Sequence, residues 1–186
     1  EFQETVLRDC AELGKELIVE SRCEQLTEEK LAWATSINST FTVAIGLEAY
    51  DDEVLRVHVN KGFTTKSWDR AVANLEKFNL RIKTYLMFKP PFMNEADALD
   101  HCVKWIGAVA ERSDEISVNA MNIQRGTVID RLHRHNEYRP PWLWSLVEMI
   151  RQAHPLIHPE GGVNGDPDQV SRLIVHPTAG GKILSL

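Results

Sequence analysis

Strand-like runs that end in polar residues alternate with helical segments along this chain. The clearest run is KTYLMFKPPF, where β-branched, aromatic and aliphatic residues stop at Lys89 before two prolines. Proline can neither donate to a sheet ladder nor continue a helix, so the strand must end at a rigid turn. Four further runs also end in polar residues: GKELIVESR, FTVAIGLEAYDD, DEISVNAMNIQR and SRLIVHPTAGG. Such repeated endings indicate that the strands place functional side chains together at one side of the domain.

Apolar residues at helical spacing, with start signals such as Thr27 and Asn94, fill the gaps between these runs. The pattern predicts helices over 2–13, from Thr27 through Ile37 with Trp33 in the buried stripe, from Asp51 or Asp52 through Leu55, from Thr64 or Thr65 through Phe78, and from Asn94 through Ile106. Strand, helix and strand in units of roughly 30 to 40 residues indicate parallel strands with right-handed crossovers.

Two α/β architectures fit this alternation, a (βα) barrel and a doubly wound open sheet. A barrel takes functional groups from many strand ends, whereas an open sheet concentrates them at one switch point. Five polar strand ends favour the barrel, but five strands cannot close a barrel of eight. The sequence therefore predicts a partial (βα) barrel that lacks its N-terminal strands. We expect a single domain over 1–186, with 136–186 as a C-terminal extension packed on the barrel.

Composition narrows the function classes. The chain has 186 residues, 43% of them hydrophobic, and its formal net charge of -6 excludes a global basic field for nucleic acid. Cys10, Cys23 and Cys102 are too far apart for a zinc knuckle or a complete iron–sulfur site, and His133 and His135 point to different helix faces. We expect no metal site within this chain, no membrane contact and a reducing cytoplasm.

The polar strand ends suggest a site for a zwitterion and a ribose. Glu20, Ser21 and Arg22 place an acceptor, a hydroxyl and a guanidinium side by side, which suits an ammonium and a carboxylate. Gly46 allows a ligand to approach the backbone, and Glu48 could accept from ribose hydroxyls. A surface ion pair and a structural glycine are the alternative interpretations.

Later strand ends carry groups that suit a polar substrate. Lys89 could contact a phosphate or carboxylate, could act as a Schiff-base amine, or could be a solvated turn lysine. Amide and guanidinium groups crowd the next strand end, where they could contact a base edge or cap the following helix: Asn119, Asn122, Gln124 and Arg125.

Residues 124–151 form the one basic and aromatic stretch of an acidic chain. Its arginines could contact phosphates and its tryptophans, Trp142 and Trp144, could stack on bases. The alternative is that the tryptophans pack the helix on the barrel while the arginines stay solvated.

Several blocks resemble one protein family. GKELIVESRCEQLTEEKL and GLEAYDDEVLRVHVNKGFT look like the second half of a radical S-adenosylmethionine (SAM) domain of the elongator-catalytic-subunit-like type. KTYLMFKPPF, NAMNIQRGTVIDRL and EYRPPWLWSLVEMI are similar to the archaeosine-biosynthesis radical SAM enzymes, which act on tRNA. The resemblance covers nearly the whole chain.

The resemblance implies roles for individual residues. It places the methionyl end of SAM at Glu20 and Arg22, the SAM ribose at Glu48, and further cofactor contacts at Lys61 and Tyr85. It implies that the substrate meets Lys89, and we extend that side of the site to Asn119, Asn122, Gln124 and Arg125. The cofactors implied are SAM and a [4Fe–4S] cluster, and the partners are tRNA and a possible second enzyme of the same modification pathway.

One departure from the family pattern is the missing CxxxCxxC that binds the cluster. We expect those ligands upstream of Glu1, so that this chain is a fragment of the enzyme and is inactive alone. The expected activity of the intact protein is that of an oxidoreductase which generates a 5′-deoxyadenosyl radical for tRNA nucleoside modification. Two alternatives remain, a non-catalytic (βα) module that binds RNA or protein, and a Schiff-base lyase barrel that uses Lys89.

Overall fold

The structure is a computed structural model that describes residues 1–158 and 171–176. The described residues form five strands, β1 (Ile18–Ser21), β2 (Thr42–Glu48), β3 (Arg81–Phe88), β4 (Glu115–Ala120) and β5 (Arg172–His176). The α-helices are α1 (Phe2–Glu12), α2 (Glu28–Ile37), α3 (Thr65–Lys77), α4 (Glu95–Ala110), α5 (Val128–Arg134) and α6 (Leu143–Ile157). A 3₁₀ turn (Cys23–Gln25) and a π-helical turn (Val54–Val59) complete the order.

Side-chain caps fix where most of the helices begin. The Thr27 side chain accepts from the backbone N–H of Lys30, and Asn94 accepts in the same way from Asp97 at the start of α4. Thr64 forms a reciprocal capping box at the start of α3. These bonds satisfy backbone donors that have no partner within the helix, which is why the start signals in the sequence were reliable.

All five strands are parallel and lie in the order β1-β2-β3-β4-β5, so each strand neighbours the next one along the chain. An open doubly wound sheet would reverse its order at a switch point, and this sheet does not. The arrangement is a partial (βα) barrel, as the sequence predicted, with β1 and β5 at its two edges.

The two faces of the sheet differ in chemistry because side chains alternate along each strand. One face is apolar and packs under the helices, with Val43, Ile45, Leu86 and Val118 almost fully buried. The other face is polar, and parallel registry sets its side chains in rows across the strands. One such row runs through Glu20, Ala44, Lys83, Glu115 and Arg172. This second face corresponds to the inside of a barrel.

Two local expectations were wrong. Trp33 is 44% exposed and lies outside the core, because α2 covers the barrel with Leu31 as its one buried residue. The helix expected to end at Leu55 continues as the π-helical turn to Val59 and ends at Asn60 in the left-handed conformation. Asp51 caps its start as predicted, since its carboxylate accepts from the backbone N–H groups of Glu53 and Val54.

Helix α6 packs on α4 and buries Leu146, Met149, Ala153 and Ile157. This helix belongs to the predicted C-terminal extension 136–186. Residues 159–170 and 177–186 of the extension lie outside the described residues, so the extension stays a prediction. Among the helices described, none is long and apolar enough to cross a membrane.

Candidate functional site

A cavity of about 540 Å³ opens at the carboxyl ends of β1, β2 and β3. We call it the strand-end cavity. It brings together all five residues for which the family resemblance implied a SAM contact, although they come from four separate places in the chain. Its lining consists of Glu20, Ser21, Arg22, Ala44, Gly46, Glu48, Lys61, Tyr85 and Asn119.

Glu48 and Lys61 form an ion pair at this cavity. Lys61 Nζ donates to Glu48 Oε1 at 2.9 Å, and only 18% and 20% of the two side chains are exposed. A β-bulge interrupts the pairing of β2 with β3 between Gly46 and Glu48, and Glu48 has a left-handed φ of 74°. Bulges redirect side chains and often lie beside functional sites, and a non-glycine residue with positive φ is uncommon. The backbone is therefore bent to aim Glu48 into the cavity.

Tyr85 links two further carboxylates across the polar face. Its hydroxyl donates to Glu20 Oε1 at 3.1 Å, and Lys83 Nζ lies 5.2 Å from the centre of its ring. Lys83 in turn pairs with Glu115 at 2.5 Å. Partial burial and the bond to Glu20 raise the pKa of Tyr85, so its hydroxyl remains a donor at neutral pH. At the wall of the cavity, the Tyr85 hydroxyl therefore holds Glu20 in place.

Arg22 lies at the rim, where it is half-exposed. Its Nε donates to Glu24 at 2.5 Å and its Nη2 to the backbone carbonyl of Lys61 at 3.3 Å. The guanidinium also lies 5.7 Å from the centre of the Phe63 ring. Arg22 is thus fixed on the loop that carries Lys61, and its position suits a carboxylate at the mouth.

A second cavity of about 590 Å³ adjoins the first, and Asn119 lines both. We call it the amide cavity. It also receives Asn122 and Gln124, so the structure brings three of the predicted substrate residues together. Aromatic and apolar side chains complete its wall, and these were not expected from the sequence: Val57, His58, Met87, Phe92 and Met121.

Phe92 reaches the amide cavity from the turn that follows β3, and His58 reaches it from the π-helical turn Val54–Val59. His58 Nδ1 lies 2.6 Å from the carbonyl oxygen of Pro91, and the two rings are 6.2 Å apart. Phe92 is exposed and has a left-handed φ of 64°. The FKPPF block predicted a rigid turn, but it did not predict that this turn places the Phe92 ring at the amide cavity.

Lys89 does not reach either cavity. It is buried, with 5% of its side chain exposed, and its Nζ donates to Glu95 Oε2 at 2.6 Å. Partial burial alone would raise the pKa of Glu95, but the hydrogen bonds from Lys89, Ser145 and the Trp142 backbone outweigh burial and lower it. Because the Lys89 amine is buried against Glu95 and lines neither cavity, this placement argues against both a substrate contact and a Schiff base.

Arg125 is exposed and lies outside the lining of both cavities. Its charge acts on Asp130, which pairs with Arg134 and whose pKa is lowered chiefly by that pair. The structure therefore does not bring Arg125 into the site with the three amide residues.

The described residues offer no set that fits an iron–sulfur cluster. Cys10 is half-buried, Cys23 and Cys102 are buried, and all three are free thiols. Burial and the charge of Glu24 raise the pKa of Cys23 to about 11, whereas a cluster requires thiolates. Within residues 1–158 and 171–176, no group of three or more His, Cys, Asp or Glu could hold a metal ion.

The relatives of this chain include two archaeosine synthase subunits. The chain is 37% identical over 171 residues to archaeosine synthase subunit beta of Methanosarcina acetivorans, covering 90% of this chain and 49% of that protein. It is 38% identical over 138 residues to archaeosine synthase subunit beta of Thermococcus kodakarensis, covering 73% and 43% respectively. The chain thus spans about half the length of the curated relatives that it matches. No family model matches it.

Two solved structures share the fold. Archaeal Elp3 of Methanocaldococcus infernus, with an N-terminal deletion, superposes with a TM-score of 0.65 at 15% identity, covering 87% of this chain and 34% of that one. A GH10 endoxylanase from a sugarcane soil metagenome gives a TM-score of 0.53 at 17% identity, with 91% and 50% covered. At these identities the likeness shows the fold alone. The two relatives confirm the predicted resemblance to the archaeosine-biosynthesis proteins, and the likeness to archaeal Elp3 confirms the fold.

Proposed function

The chain is homologous to the archaeosine synthase beta subunits and has the fold of archaeal Elp3, and from this premise we propose that it is part of a radical SAM enzyme that modifies a tRNA nucleoside. The observation that carries the proposal is the strand-end cavity. The five residues that the family resemblance assigns to SAM come from β1, β2, β3 and two loops, and they line one space.

The chemistry of this cavity fits SAM. Glu20 and Glu48 supply carboxylates for a cationic ligand, while Arg22 and Lys61 supply cations for its carboxylate. We assign Glu20 and Arg22 to the methionyl end and Glu48 to the ribose. Tyr85 has a positioning role, since its hydroxyl holds Glu20.

SAM held by these residues would supply a 5′-deoxyadenosyl group as the source of a radical for hydrogen abstraction from the substrate. The residues of this chain contribute binding and orientation. The Glu48–Lys61 and Glu20–Tyr85 pairs hold four side chains in fixed positions, and the buried Ala44 below them provides an apolar floor. Such preorganisation keeps a reactive carbon in place and limits the access of water.

The amide cavity is the proposed place for the tRNA nucleoside. Asn119 borders both cavities, so a substrate there would lie beside the SAM site. Asn119, Asn122 and Gln124 carry amide groups that can donate to and accept from a base edge, and Phe92 offers a ring on which a base can stack. We do not assign Lys89 or Arg125 to the substrate, because neither residue lines the amide cavity or the strand-end cavity.

We assign the reduction of SAM, which requires a [4Fe–4S] cluster, to the whole protein and not to the residues of this chain. The three cysteines of this chain do not fit a [4Fe–4S] cluster, so we place its ligands outside residues 1–186 and expect no activity from this chain alone. The relatives are named as subunits, which supports a second enzyme as a partner in the same modification.

The test is reconstitution of the whole protein with iron and sulfide. Glu48→Ala should weaken SAM binding about tenfold, since it removes a charge-assisted contact, and should leave the iron content unchanged. Glu53→Ala is the matched control, because Glu53 is exposed five residues away and does not line the cavity. Unaltered SAM affinity in Glu48→Ala would refute the assignment.

Two rival functions have separate tests. A Schiff-base lyase would form an adduct at Lys89 on borohydride reduction with a carbonyl substrate, and the Lys89–Glu95 pair leads us to expect none. A non-catalytic module would bind RNA or protein without cleaving SAM. Formation of 5′-deoxyadenosine by the reconstituted whole protein excludes that rival.

A further inference from the structure

Arg139 and Trp142 form a stacked pair on the segment between α5 and α6. The Arg139 guanidinium carbon lies 3.9 Å from the centre of the Trp142 ring, which is close for a cation–π contact. Trp142 is 55% exposed and Arg139 is exposed as well. The pair lies outside both cavities and takes no part in the function proposed above. We call it the Arg139–Trp142 platform.

The platform is held rigidly at the carboxyl end of β3. The backbone N–H of Trp142 donates to Glu95 Oε1 at 2.9 Å, while Lys89 Nζ donates to the other oxygen of the same carboxylate at 2.6 Å. The hydroxyl of Tyr138 donates to the Lys89 carbonyl at 2.9 Å. Both ends of the segment are therefore tied to Lys89 and Glu95.

Two prolines stiffen the stretch between these ties. Pro140 and Pro141 separate Arg139 from Trp142, and proline fixes its own φ and restricts the residue before it. Tyr138 is buried and contacts the strand end, so the stretch cannot swing away without breaking a buried hydrogen bond. A stacking surface that is already rigid loses little entropy when a ligand binds.

The charge around the platform favours a polyanion. Between residues 124 and 142 the chain has four arginines against two carboxylates, whereas the whole chain has a formal net charge of -6. Arg134 is neutralised by Asp130. In the part of the chain that the structure describes, no carboxylate forms an ion pair with Arg131 or Arg139, so both can meet phosphates.

We propose that the Arg139–Trp142 platform is a docking surface for a single-stranded segment of RNA, with one base stacked on the Arg139–Trp142 pair and Arg131 near the backbone phosphates. The proposal rests on the proposed function, which supplies tRNA as the RNA. Stacking on an exposed aromatic or guanidinium plane is the common way in which proteins hold unpaired bases. Lys89 and Glu95 thereby gain a positioning role.

A protein partner is the competing occupant of this region. Leu143, Trp144 and Val147 are exposed on α6 directly after the platform, with Trp144 at 79%. Apolar side chains of this kind suit protein contacts, but they carry no positive charge and are not tied to the strand end. The positive charge of the Arg139–Trp142 platform and its hydrogen bonds to the end of β3 therefore favour RNA over a protein as its ligand.

The experiment measures equilibrium binding of a fluorescently labelled tRNA transcript to the whole protein at two salt concentrations. Trp142→Ala should weaken binding about tenfold, in keeping with the loss of one stacked base, while Trp142→Phe should retain most of the affinity. Arg139→Ala should weaken binding as well and reduce its salt dependence. Trp144→Ala is the matched control and should bind within about twofold of the unmodified protein.

The outcomes separate this inference from the proposed function. Trp142→Ala should bind SAM as well as the unmodified protein does, because the platform lies outside the strand-end cavity. If Trp142→Ala and Arg139→Ala bind tRNA normally, or if the unmodified protein binds no tRNA, the platform proposal is overturned. If tRNA binding is normal but the variants change the protein's association state, the surface is a protein interface. If the unmodified whole protein neither binds nor cleaves SAM, that result counts against the proposed function alone.

Discussion

Lys61 Nζ and Glu48 Oε1 meet at 2.9 Å directly beside the α-carbon of Gly46. A β-carbon at position 46 would lie 3.1 Å from Lys61 Nζ and 3.3 Å from Glu48 Oε1. Both distances are tighter than ordinary van der Waals contact. The glycine that precedes the bulge is therefore what allows this ion pair to lie across the cavity.

Gly46→Ala should weaken SAM binding about fivefold, because the new methyl group pushes the ion pair away from its place in the cavity. The fold should survive, since the atoms displaced are the ends of flexible side chains. Gly107→Ala provides a control, as its β-carbon would meet Leu156 Cδ1 at 3.3 Å on the helical layer. Isothermal titration with SAM should show a loss in the first variant only, and equal affinities would contradict the role given to Gly46.

Tyr85→Phe should raise the dissociation constant for SAM about threefold to tenfold, because Glu20 loses the hydroxyl that holds it. Tyr50→Phe is the matched control. The Tyr50 hydroxyl also donates to a carboxylate, Asp69 Oδ1 at 3.0 Å, but neither residue lines the strand-end cavity. Both variants should lose about 1 kcal/mol of unfolding free energy. If the two also lose SAM affinity to the same extent, the effect of Tyr85 is only structural.

Glu95→Gln should lower the free energy of unfolding by about 2 kcal/mol at neutral pH, because Lys89 keeps a hydrogen bond but loses its buried counter-charge. The pKa of Glu95 is lowered in the folded protein, so its stabilisation is complete above the ordinary value of 4.5 and is lost as the pH falls through the folded value.

Urea unfolding followed as a function of pH measures this effect. The difference between Glu95→Gln and the unmodified protein should shrink steadily below pH 4.5. Glu148→Gln is the control, since Glu148 and Arg151 pair on the exposed surface, where solvent screens the charges, and its effect should be much smaller. A difference for Glu95→Gln that does not depend on pH would show that the charge of Glu95 contributes nothing.

The sequence predicted the fold well because local signals agree with the global architecture. Thr27, Thr64 and Asn94 cap helices where expected, and each strand-like run became a strand. Trp33 shows the limit of such patterns. Helical spacing marks an apolar stripe, but which of its residues is buried depends on the angle at which the helix packs, and that angle is set by residues distant in the chain.

The candidate site was predictable to the extent that it lies at strand ends. Parallel strands bring their carboxyl ends together, so Glu20 and Glu48 could be grouped from their positions alone, whereas Tyr85 entered the site only through the family resemblance. Lys89 has the same kind of position, yet its side chain turns away to Glu95, the first residue of the next helix. Its left-handed φ of 58° directs it there, and no pattern in a single sequence indicates that rotation.

Alkylation by iodoacetamide should distinguish the three cysteines in the folded protein. Cys10 is half-buried and should react first. Cys23 should react slowly, since burial and Glu24 raise its pKa to about 11, and Cys102 should react only after unfolding because complete burial raises its pKa further. Mass spectrometry at successive times gives the order. Early labelling of Cys102 would contradict the packing of α4 against α6.

A crystal structure of the whole protein with SAM bound tests the central claim most directly. The account predicts that SAM occupies the strand-end cavity, with its methionyl end at Glu20 and Arg22 and its ribose at Glu48. SAM bound elsewhere, with no contact to these three residues, would contradict the account.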